Sequence, residues 1–295
     1  MSTTLRKAYL KALGAIGVER LKVKNALGHN YICHIGDFLS ELPFYNPTAS
    51  QSELVLCASW LRNENKPVVY DVGANVGYLA TQLAQMLAAN SPQIYAFEPV
   101  PTTFVKLVQS IRRLGLQERV FPIAAAVLDD LKLVQLSYSN RDSLFAQIST
   151  DGLNARVGDS LAYAPGITLD SFYSATGNCP ALLKIDVEGS EVKVLRGARR
   201  LLSGPHRPAI LFEFNPLTLS ECGATPLSFR DLLSDYTLYY VDDFEGQKMP
   251  LGSPVPDVEN IKWVCNLFAV PNAEGHLGRW NYTLVQTVSW LKKVA

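Results

Sequence analysis

The feature of this sequence that most constrains its fold is an alternation of short apolar segments with longer segments of helical spacing between residues 66 and 214. The short segments lack the polar–apolar alternation of a strand that faces water on one side. Such strands are typical of a parallel sheet covered by helices on both faces, and right-handed crossovers give a doubly wound sheet. The sequence therefore predicts an α/β fold with a mostly parallel, Rossmann-like sheet. The predicted strands comprise residues 67–71, 93–98, 120–123, 182–186 and 208–214, and the predicted helices residues 78–89, 102–114 and 190–202.

The residues on either side of this alternation are expected to form additions to a main domain. Residues 1–65 combine helical patterns, one of them over residues 50–62, with short strand patterns, so we predict a helical and β-strand cap. Residues 66–295 are assigned to the main domain. Within it, residues 125–180 interrupt the alternation of strands and helices before the fourth strand. An insertion of this length is a candidate lid or substrate loop. A last amphipathic helix, from residue 283, either closes the core or forms a homodimer contact.

The composition argues against several classes of protein. The 27 basic and 27 acidic residues balance, so the basic excess of a dedicated nucleic-acid-binding protein is absent and no nucleic-acid partner is expected. No apolar run approaches the roughly 20 residues that cross a bilayer, so no membrane span is expected. The cysteines are odd in number and dispersed, without the spacing of a zinc site or a disulfide framework, which favours a reduced, cytoplasmic protein. They are Cys33, Cys57, Cys179, Cys222 and Cys265.

A glycine-rich segment with the sequence DVGANVG, residues 71–77, joins the first predicted strand to the first predicted helix of the main domain. Glycines at such a junction let the backbone turn sharply near a ligand, and the helix start offers free N–H groups. The spacing of Gly73 and Gly77 departs from the GxGxxG of a dinucleotide-binding loop. Asp71 would repel a pyrophosphate but accept from the ammonium group of an amino-acid-like ligand, which favours S-adenosylmethionine (SAM) over NAD. The residues of this segment expected to bind the cofactor are Asp71, Gly73, Ala74, Asn75 and Gly77.

An acidic residue ends the second predicted strand. Glu98, followed by Pro99, lies about twenty residues beyond Gly77. A carboxylate there can accept hydrogen bonds from both ribose hydroxyls of a nucleoside. Together with the glycine-rich segment it predicts an adenosyl ligand, with Glu98 and Pro99 beside it, although this spacing alone also fits NAD. After the third strand, Ala125 stands where many SAM enzymes have a polar residue, so we expect backbone and packing to hold the adenine.

Three carboxylates are predicted at the same edge of the sheet. Asp186 and Glu188 follow the fourth strand, and Glu213 ends the fifth. Because ligands of an open parallel sheet bind outside the carboxyl ends of its strands, these residues share a crevice with Asp71 and Glu98. Neighbouring carboxylates raise one another's pKa, which suits one of them to act as a general base for an alcohol. We therefore predict catalytic roles for Asp186, Glu188 and Glu213, with Asp186 or Glu188 as the base and Asp186 also beside the cofactor.

Two other kinds of site stay open at this point. A magnesium ion held by oxygen ligands could lower the pKa of a substrate diol. Its predicted ligands are Asp170, Asp186, Glu188 and Glu213. A histidine base is the second alternative, since His29 and His34 lie in the predicted N-terminal cap and could fold over the crevice.

Taken together, these residues resemble the FkbM family of methyltransferases. The resemblance covers residues 66–215, and its most specific part is the sequence KIDVEGSE at residues 184–191. It implies a class I SAM-dependent methyltransferase fold. It also implies transfer of a methyl group from SAM to a hydroxyl of a sugar, polyketide or other secondary metabolite, with S-adenosylhomocysteine (SAH) as product. Residues 1–65 and 216–295 lie outside the resemblance and are expected to select the small-molecule or glycan substrate.

The sequence leaves alternatives to this activity. Within methyltransferases, nitrogen and carbon acceptors stay open beside oxygen. A nicotinamide-dependent oxidoreductase on a related sheet is a second alternative, against which the missing GxGxxG spacing counts. A non-catalytic interaction protein with the same fold is a third, and the carboxylates predicted in the crevice argue against it.

Overall fold

The computed structural model describes residues 2–47, 50–139, 146–149, 160–243 and 248–294. The described strands are β1 (Arg20–Lys24), β2 (Asn30–His34), β3 (Val68–Val72), β4 (Gln93–Phe97), β5 (Val120–Ile123), β6 (Ala126–Val127), β7 (Lys132–Tyr138), β8 (Ala146–Ser149), β9 (Ser160–Ile167), β10 (Leu182–Ile185), β11 (Ala209–Phe214), β12 (Tyr236–Asp243) and β13 (Cys265–Pro271). The described α-helices are α1 (Thr3–Ala15), α2 (Phe38–Tyr45), α3 (Gln51–Leu61), α4 (Tyr78–Met86), α5 (Pro101–Leu114), α6 (Leu169–Thr176), α7 (Glu191–Arg196), α8 (Arg199–Ser203), α9 (Pro216–Glu221), α10 (Pro226–Leu232) and α11 (His276–Val294).

The main sheet has the strand order β12-β13-β11-β10-β3-β4-β5. The strands from β11 to β5 pair in parallel, whereas β13 runs antiparallel to both of its neighbours. The chain starts this sheet at β3, builds outward to β5, and then returns to β10 on the other side of β3. The order therefore reverses between β3 and β10, which is where ligands of doubly wound sheets bind. The predicted α/β fold with a mostly parallel, doubly wound sheet is confirmed.

Helices cover both faces of the main sheet. On one face, α3, α4 and α11 bury Leu54, Trp60 and Trp280. On the other face, α7 and α10 bury Val194 and Phe229. Each large apolar side chain removed from water contributes about 1.5–3 kcal/mol, so packing holds these short helices more than local propensity does. No helix among the described residues has both the length and the apolar content of a membrane span.

The predicted N-terminal cap is only partly separate from the main core. Its hairpin, β1 and β2, packs on α1 through Leu10, Tyr31 and Cys33. By contrast, α3 lies before the predicted domain boundary at residue 65 yet is apolar on nearly every side and is buried in the core of the main sheet. The boundary itself stays a prediction. Helix α2 was not predicted, because its helical pattern is interrupted by Pro43.

The predicted insertion at residues 125–180 forms a second, smaller sheet followed by α6. Its strand order is β6-β9-β7-β8, with β7 antiparallel to both β9 and β8. Residues 140–145 and 150–159 lie outside the described part of the chain, so the lid assignment for this insertion stays a prediction.

The single helix predicted over residues 190–202 is instead two helices, α7 and α8. They are separated at Gly197, where a Cβ atom would lie 2.0 Å from the carbonyl oxygen of Leu128. The carbonyl oxygen of Gly197 also accepts a hydrogen bond from the N–H of Asp170 (2.9 Å). The chain breaks its helical path at Gly197 because this residue is packed directly against the backbone of the insertion.

Candidate active site

A cavity opens at the carboxyl ends of the central strands of the main sheet. Its volume is about 850 Å³, near the upper end of the range of about 300–1,000 Å³ typical of small-molecule sites. The loop between β3 and α4 forms one wall, the ends of β10 and β11 form another, and α2 with the start of α3 covers them. The charged side chains that line it are Glu53, Glu98, Lys184, Asp186, Glu188, Lys193, Glu213 and Glu221.

The loop between β3 and α4 is held against the ends of two neighbouring strands. The N–H groups of Gly73 and Ala74 both donate to the carbonyl oxygen of Phe97 at the end of β4 (3.0 and 2.9 Å). Gly73 has a φ of +78°, and a Cβ atom there would lie 1.8 Å from the carbonyl oxygen of Asp186. Only glycine lets the loop approach β10 this closely. Residues 73–76 line the cavity.

Asn75 and Gly77 give this loop its shape. Asn75 has a φ of 53°, a left-handed conformation that asparagine tolerates better than most residues. Gly77 precedes α4 with a φ of +82°, and a Cβ atom there would lie 2.5 Å from Cδ1 of Leu107. Gly77 is not among the residues that line the cavity. The structure therefore places Gly77 behind the loop, where it permits packing against α5.

Glu98 connects this loop to the end of β4 through hydrogen bonds. Its Oε2 accepts from the N–H of Asn75 (3.0 Å) and its Oε1 from the N–H of Val100 (2.9 Å). The residue is 5% exposed and lines the cavity beside Pro99. Burial raises the pKa of Glu98 to about 7, although both N–H groups favour its charged form. Each carboxylate oxygen has a further lone pair with which to accept from a ligand hydroxyl.

Lys184 is a buried cation at the centre of these strand ends. Its Nζ donates to the carbonyl oxygen of Gly73 (3.2 Å) and to Oδ2 of Asp186 (3.0 Å), and it lies 3.7 Å from Oδ1 of Asp71. Burial alone would lower the pKa of Lys184, but the charges of Asp186 and Asp71 raise it above its ordinary value. The lysine therefore keeps its charge and joins β10 to the loop. This role of Lys184 was not predicted from the sequence.

Asp71 does not have the position expected from the sequence. It is fully buried within β3 and is not among the residues that line the cavity. Burial raises the pKa of Asp71, and Lys184 opposes this shift. A direct contact between Asp71 and a ligand ammonium group was expected from the sequence. In this structure Asp71 instead acts on the cavity through Lys184, because it lies inside the strand and not in the loop that follows it.

The turn after β10 holds Glu188 in an uncommon backbone conformation. Glu188 has a φ of 53° and Gly189 a φ of 98°, and the left-handed region costs roughly 1 kcal/mol or more for a residue with a Cβ atom. Glu191 stabilises the turn, since its Oε1 accepts from the N–H groups of Val187 and Gly189 (3.0 and 3.2 Å). Backbone strain of this kind occurs preferentially at functional sites.

Two carboxyl groups at this edge of the sheet have a high affinity for protons. Burial, together with the charges of Asp186 and Glu191, raises the pKa of Glu188 to about 7. Burial, together with the charges of Asp186 and Glu188, raises the pKa of Glu213 to about 9. The Oε2 atom of Glu213 is buried without a hydrogen-bond partner among the described residues. The structure thus brings the three residues with predicted catalytic roles to one cavity, where all of them line the wall.

Two further polar residues of the cavity wall were not found by the sequence analysis. Nδ2 of Asn266 in β13 donates to Oε1 of Glu53 in α3 (3.0 Å). Burial, and then the charge of Asp242, raises the pKa of Glu53 to about 8. The available signal was a polar residue within an apolar segment, in the sequences SELVLC and CNLFAV at residues 52–57 and 265–270. Burying such a residue costs free energy unless it finds a partner, which makes it a candidate for function.

Ala125 lies directly after β5 and lines the cavity. Its N–H already donates to the carbonyl oxygen of Ile123 (3.0 Å), so Ala125 contributes mainly a packing surface. His34 is buried and its Nε2 is hydrogen-bonded to Oγ of Ser110 (3.1 Å). Neither His29 nor His34 is part of the described cavity wall, so the structure gives no support to a histidine base from the N-terminal segment.

Asp170 does not join the other predicted metal ligands. Its Oδ2 accepts from the N–H of Arg200 (2.8 Å) and its Oδ1 from the N–H of Leu201 (3.1 Å), which caps the first turn of α8. Within the described ranges, no group of three or more His, Cys, Asp or Glu side chains is arranged to hold a metal ion. The structure does not bring Asp170 to the other predicted magnesium ligands, because this carboxylate already satisfies the free N–H groups of a helix. The magnesium alternative itself stays a prediction.

The polar groups of the cavity fit SAM. The wall carries more carboxyl groups than lysines, and those that are ionised at a given pH suit a ligand with sulfonium and ammonium cations and disfavour a pyrophosphate. Glu98 offers acceptors for ribose hydroxyls beside the glycine-rich loop. The buried Oε2 of Glu213 lacks a donor, as expected for a group that meets a ligand.

One protein family has a model that matches this chain. A model described as the methyltransferase FkbM domain matches residues 71–238, more than half of the chain. No curated protein sequence matches the chain significantly.

Solved structures of methyltransferases are similar at low identity. The FkbM methyltransferase of Methylobacillus flagellatus KT shares 17% identity over 70% of this chain, with a TM-score of 0.44, and the match covers 43% of that protein's length. A SAM-dependent O-methyltransferase of Thermotoga maritima shares 12% identity over 84% of this chain and 77% of its own, with a TM-score of 0.40. A SAM-dependent methyltransferase of Agrobacterium tumefaciens shares 9% identity over 85% of this chain and 69% of its own, with a TM-score of 0.43.

The matched segment contains the parts of the cavity that the sequence analysis singled out. Residues 71–238 include the glycine-rich loop, Glu98, the KIDVEGSE turn and Glu213. They also include the last two residues of β3 and the whole of β4, β5, β10 and β11, which build the centre of the main sheet. This chain belongs to the FkbM family of SAM-dependent methyltransferases.

Proposed function

We propose that this protein transfers a methyl group from SAM to a hydroxyl group of a small molecule or glycan. One observation carries the proposal: a single cavity places the glycine-rich loop and Glu98 next to carboxyl groups of high pKa at the ends of β10 and β11. A hydroxyl loses its proton when it is methylated, so it needs a proton acceptor beside it.

The residues that would hold the cofactor line one side of the cavity. They are Glu98 for the ribose hydroxyls, the backbone of residues 73–76, and Ala125 with Pro99 for packing. When bound, SAM supplies the methyl group that is transferred. The two carboxylates and one carbonyl oxygen around Lys184 keep the loop and β10 in fixed positions, and such fixed positions are a large part of enzymatic rate enhancement.

Glu188 is the best candidate for the general base. Asp186 is hydrogen-bonded to Lys184 (3.0 Å), which occupies one of its carboxylate oxygens and fixes its position. Glu188 has no such cation bonded to it among the described residues, and burial raises its pKa to about 7. A base with a pKa near the working pH combines a useful charged fraction with useful proton affinity. The left-handed turn holds its backbone at the cavity wall.

The proposal is tested by binding and by product analysis. The purified protein is titrated calorimetrically with SAH and, in parallel, with NAD. It is then incubated with methyl-labelled SAM and a panel of sugars, glycolipids and polyketides, with and without EDTA, and the products are analysed by mass spectrometry and NMR. We expect SAH to bind, NAD not to bind, and the label to appear as a methyl ether. Failure to bind SAH, or a label found only on nitrogen or carbon, would overturn the proposal.

Other features expected from the sequence stay predictions. They are the homodimer contact through the C-terminal helix, the cytoplasmic location, and a small-molecule or glycan partner in place of a nucleic acid.

A further inference from the structure

A row of polar side chains crosses the edge of the main sheet that is farther from the glycine-rich loop. Asp242 of β12, Asn266 of β13 and Glu213 of β11 are in register, and cross-strand neighbours in register share one face of a sheet. Glu53 of α3 packs on this row. Nδ2 of Asn266 donates to Oε1 of Glu53 and to Oδ1 of Asp242, both at 3.0 Å.

Two members of this row, Asn266 and Glu213, line the cavity, and so does Glu53, which packs on the row. Both N–H groups of the Asn266 amide are used, so its Oδ1 is left without a hydrogen-bond partner among the described residues. Asn266 is only 8% exposed, but it lines the cavity, so its Oδ1 can accept from a ligand there. Oε2 of Glu213 is buried without a hydrogen-bond partner among the described residues. These two unpartnered oxygens point to a ligand that brings hydrogen-bonding groups.

The row lies beside the proposed cofactor position and does not overlap it. In the sheet order, β11 and β13 are on one side of β10, whereas β3 and β4 are on the other. A ligand against Glu98 and a second ligand against Asn266 would therefore lie side by side, with Asp186 and Glu188 between them. A volume of about 850 Å³ is near the upper end for small-molecule sites, which suits two ligands.

We propose that Glu53, Asn266 and Glu213 form an acceptor subsite that holds a second hydroxyl group of a polyhydroxylated substrate, adjacent to the hydroxyl that is methylated. This inference rests on the proposed function. Glu53 and Asn266 lie outside residues 71–238, which match the family model. Leu39 and Leu42 of α2 line the same cavity and offer an apolar surface to the ring of a sugar.

The chemistry of the row favours hydroxyl groups over ammonium groups. Burial and the charge of Asp242 raise the pKa of Glu53 to about 8, so at neutral pH Glu53 carries a proton and offers a donor as well as acceptors. A hydroxyl group both donates and accepts, and it can satisfy Asn266 and Glu53 together. An ammonium group donates only, so it would bind with Glu53 ionised, which costs the removal of a proton from a group whose pKa is about 8.

The test uses the wild-type protein, Glu53→Leu and Glu53→Gln, with Glu259→Leu as a matched control on the surface. The probes are methyl glycosides that contain vicinal diols and their monodeoxy counterparts. For each pair, kcat and KM are measured separately, and unfolding temperature and the Kd of SAH are measured for every variant. Glu53→Gln serves as the conservative variant, because an amide retains an acceptor for Asn266 and a donor toward the cavity.

We expect the wild type to prefer the diol over its monodeoxy counterpart about tenfold or more in kcat/KM, as for the loss of one hydrogen bond to a buried group. Glu53→Leu should reduce this preference to about twofold or less, mainly through KM, while the Kd of SAH stays within about twofold. Glu53→Gln and Glu259→Leu should keep the preference.

The outcomes separate the two proposals. An undiminished preference in Glu53→Leu would overturn the subsite alone, and the proposed function would stand. Failure of the wild type to bind SAH would overturn the proposed function. If SAH binds but no hydroxyl compound of the panel is methylated, the subsite inference is overturned as well. If Glu53→Leu does not fold, Asn266→Ala takes its place: a reduced preference there supports the subsite, and an undiminished preference overturns it.

Discussion

Glu98 has two tasks at the end of β4, since it binds two backbone N–H groups and also lines the cavity. In Glu98→Gln the amide nitrogen cannot accept a hydrogen bond, so one of these two hydrogen bonds is lost. The loop between β3 and α4 is then held less firmly against the end of β4. Hydrogen bonds to a charged group contribute about 1.5–3 kcal/mol, which corresponds to a rise of roughly tenfold to a hundredfold in the Kd of SAH. Calorimetric titration measures this change, with the surface variant Glu259→Gln as control. An unchanged Kd would remove Glu98 from the cofactor site.

Glu188 is expected to set the pH dependence of turnover. Its pKa is raised to about 7 by burial and by neighbouring carboxylates. A base must be unprotonated to act, so kcat should rise with pH through about 7 and level off above it. Glu188→Gln should lower kcat by about a hundredfold to ten-thousandfold, as for other general bases, and should abolish this rise. The Kd of SAH should remain near the wild-type value.

The pH–rate profile of the two proteins separates this role from a structural one. A variant that loses turnover but keeps the rise near pH 7 would assign the titration to another group, with Glu213 first among the alternatives. Near-normal turnover in Glu188→Gln would discard Glu188 as the base.

At the scale of elements, the loop between β3 and α4 depends on one close approach. A Cβ atom on Gly73 would lie 1.8 Å from the carbonyl oxygen of Asp186, and Gly73 has a φ of +78°. Gly73→Ala should therefore destabilise the protein by more than about 3 kcal/mol, from left-handed strain and from displacement of β10. Gly115 is a matched control, because its φ is +68° but no atom lies within 4 Å of an added Cβ.

Denaturant unfolding of both variants measures the effect. Gly115→Ala should lower the free energy of unfolding by only about 1–2 kcal/mol, from left-handed strain alone. Equal losses in the two variants would show that the loop can move away from β10 at little cost.

The elements that the sequence predicts well are those with a single, strong physical cause. The strands of the main sheet are buried on both faces, so their composition is mostly apolar, with single polar residues such as Asp71 and Lys184. The bounds of β3, β4, β5, β10 and β11 all lie within one residue of their predicted ranges. The division of residues 190–202 into α7 and α8 was not predictable in the same way. It depends on contact between Gly197 and Leu128, which are far apart in the sequence.

The candidate site also has one part that the sequence predicts and another part that depends on tertiary contacts. The glycine-rich loop, Glu98 and the KIDVEGSE turn occur at strand ends, and strand order then places them at one edge. The contribution of Glu53 depends on the packing of α3 against β13, and Asp71 acts through Lys184 because of the direction of one buried side chain. Such tertiary contacts leave no periodic pattern in the sequence.

For the whole molecule, the carboxyl groups gathered at the cavity should control stability as a function of pH. The pKa values of Glu98 and Glu188 are raised to about 7, that of Glu53 to about 8, and that of Glu213 to about 9, in each case first by burial. An unfolded glutamate loses its proton near pH 4.5. Between pH 5 and 9 the folded protein therefore binds more protons than the unfolded chain, and its stability falls as pH rises.

We expect the unfolding temperature of the ligand-free protein to fall between pH 6 and pH 9, since each proton retained only by the folded state gives a slope of about 1.4 kcal/mol per pH unit. Glu213→Gln removes the group with the highest of these pKa values, so its unfolding temperature should fall less steeply and exceed that of the wild type at pH 9. Glu259→Gln, at the surface, should follow the wild type. SAM carries a positive charge that SAH lacks, so its stabilising effect should grow over the same pH interval as the carboxyl groups ionise, whereas that of SAH should change less. A wild-type unfolding temperature that is flat or rises over this interval would mean that the carboxylates are solvated or paired more completely than the geometry of the cavity indicates.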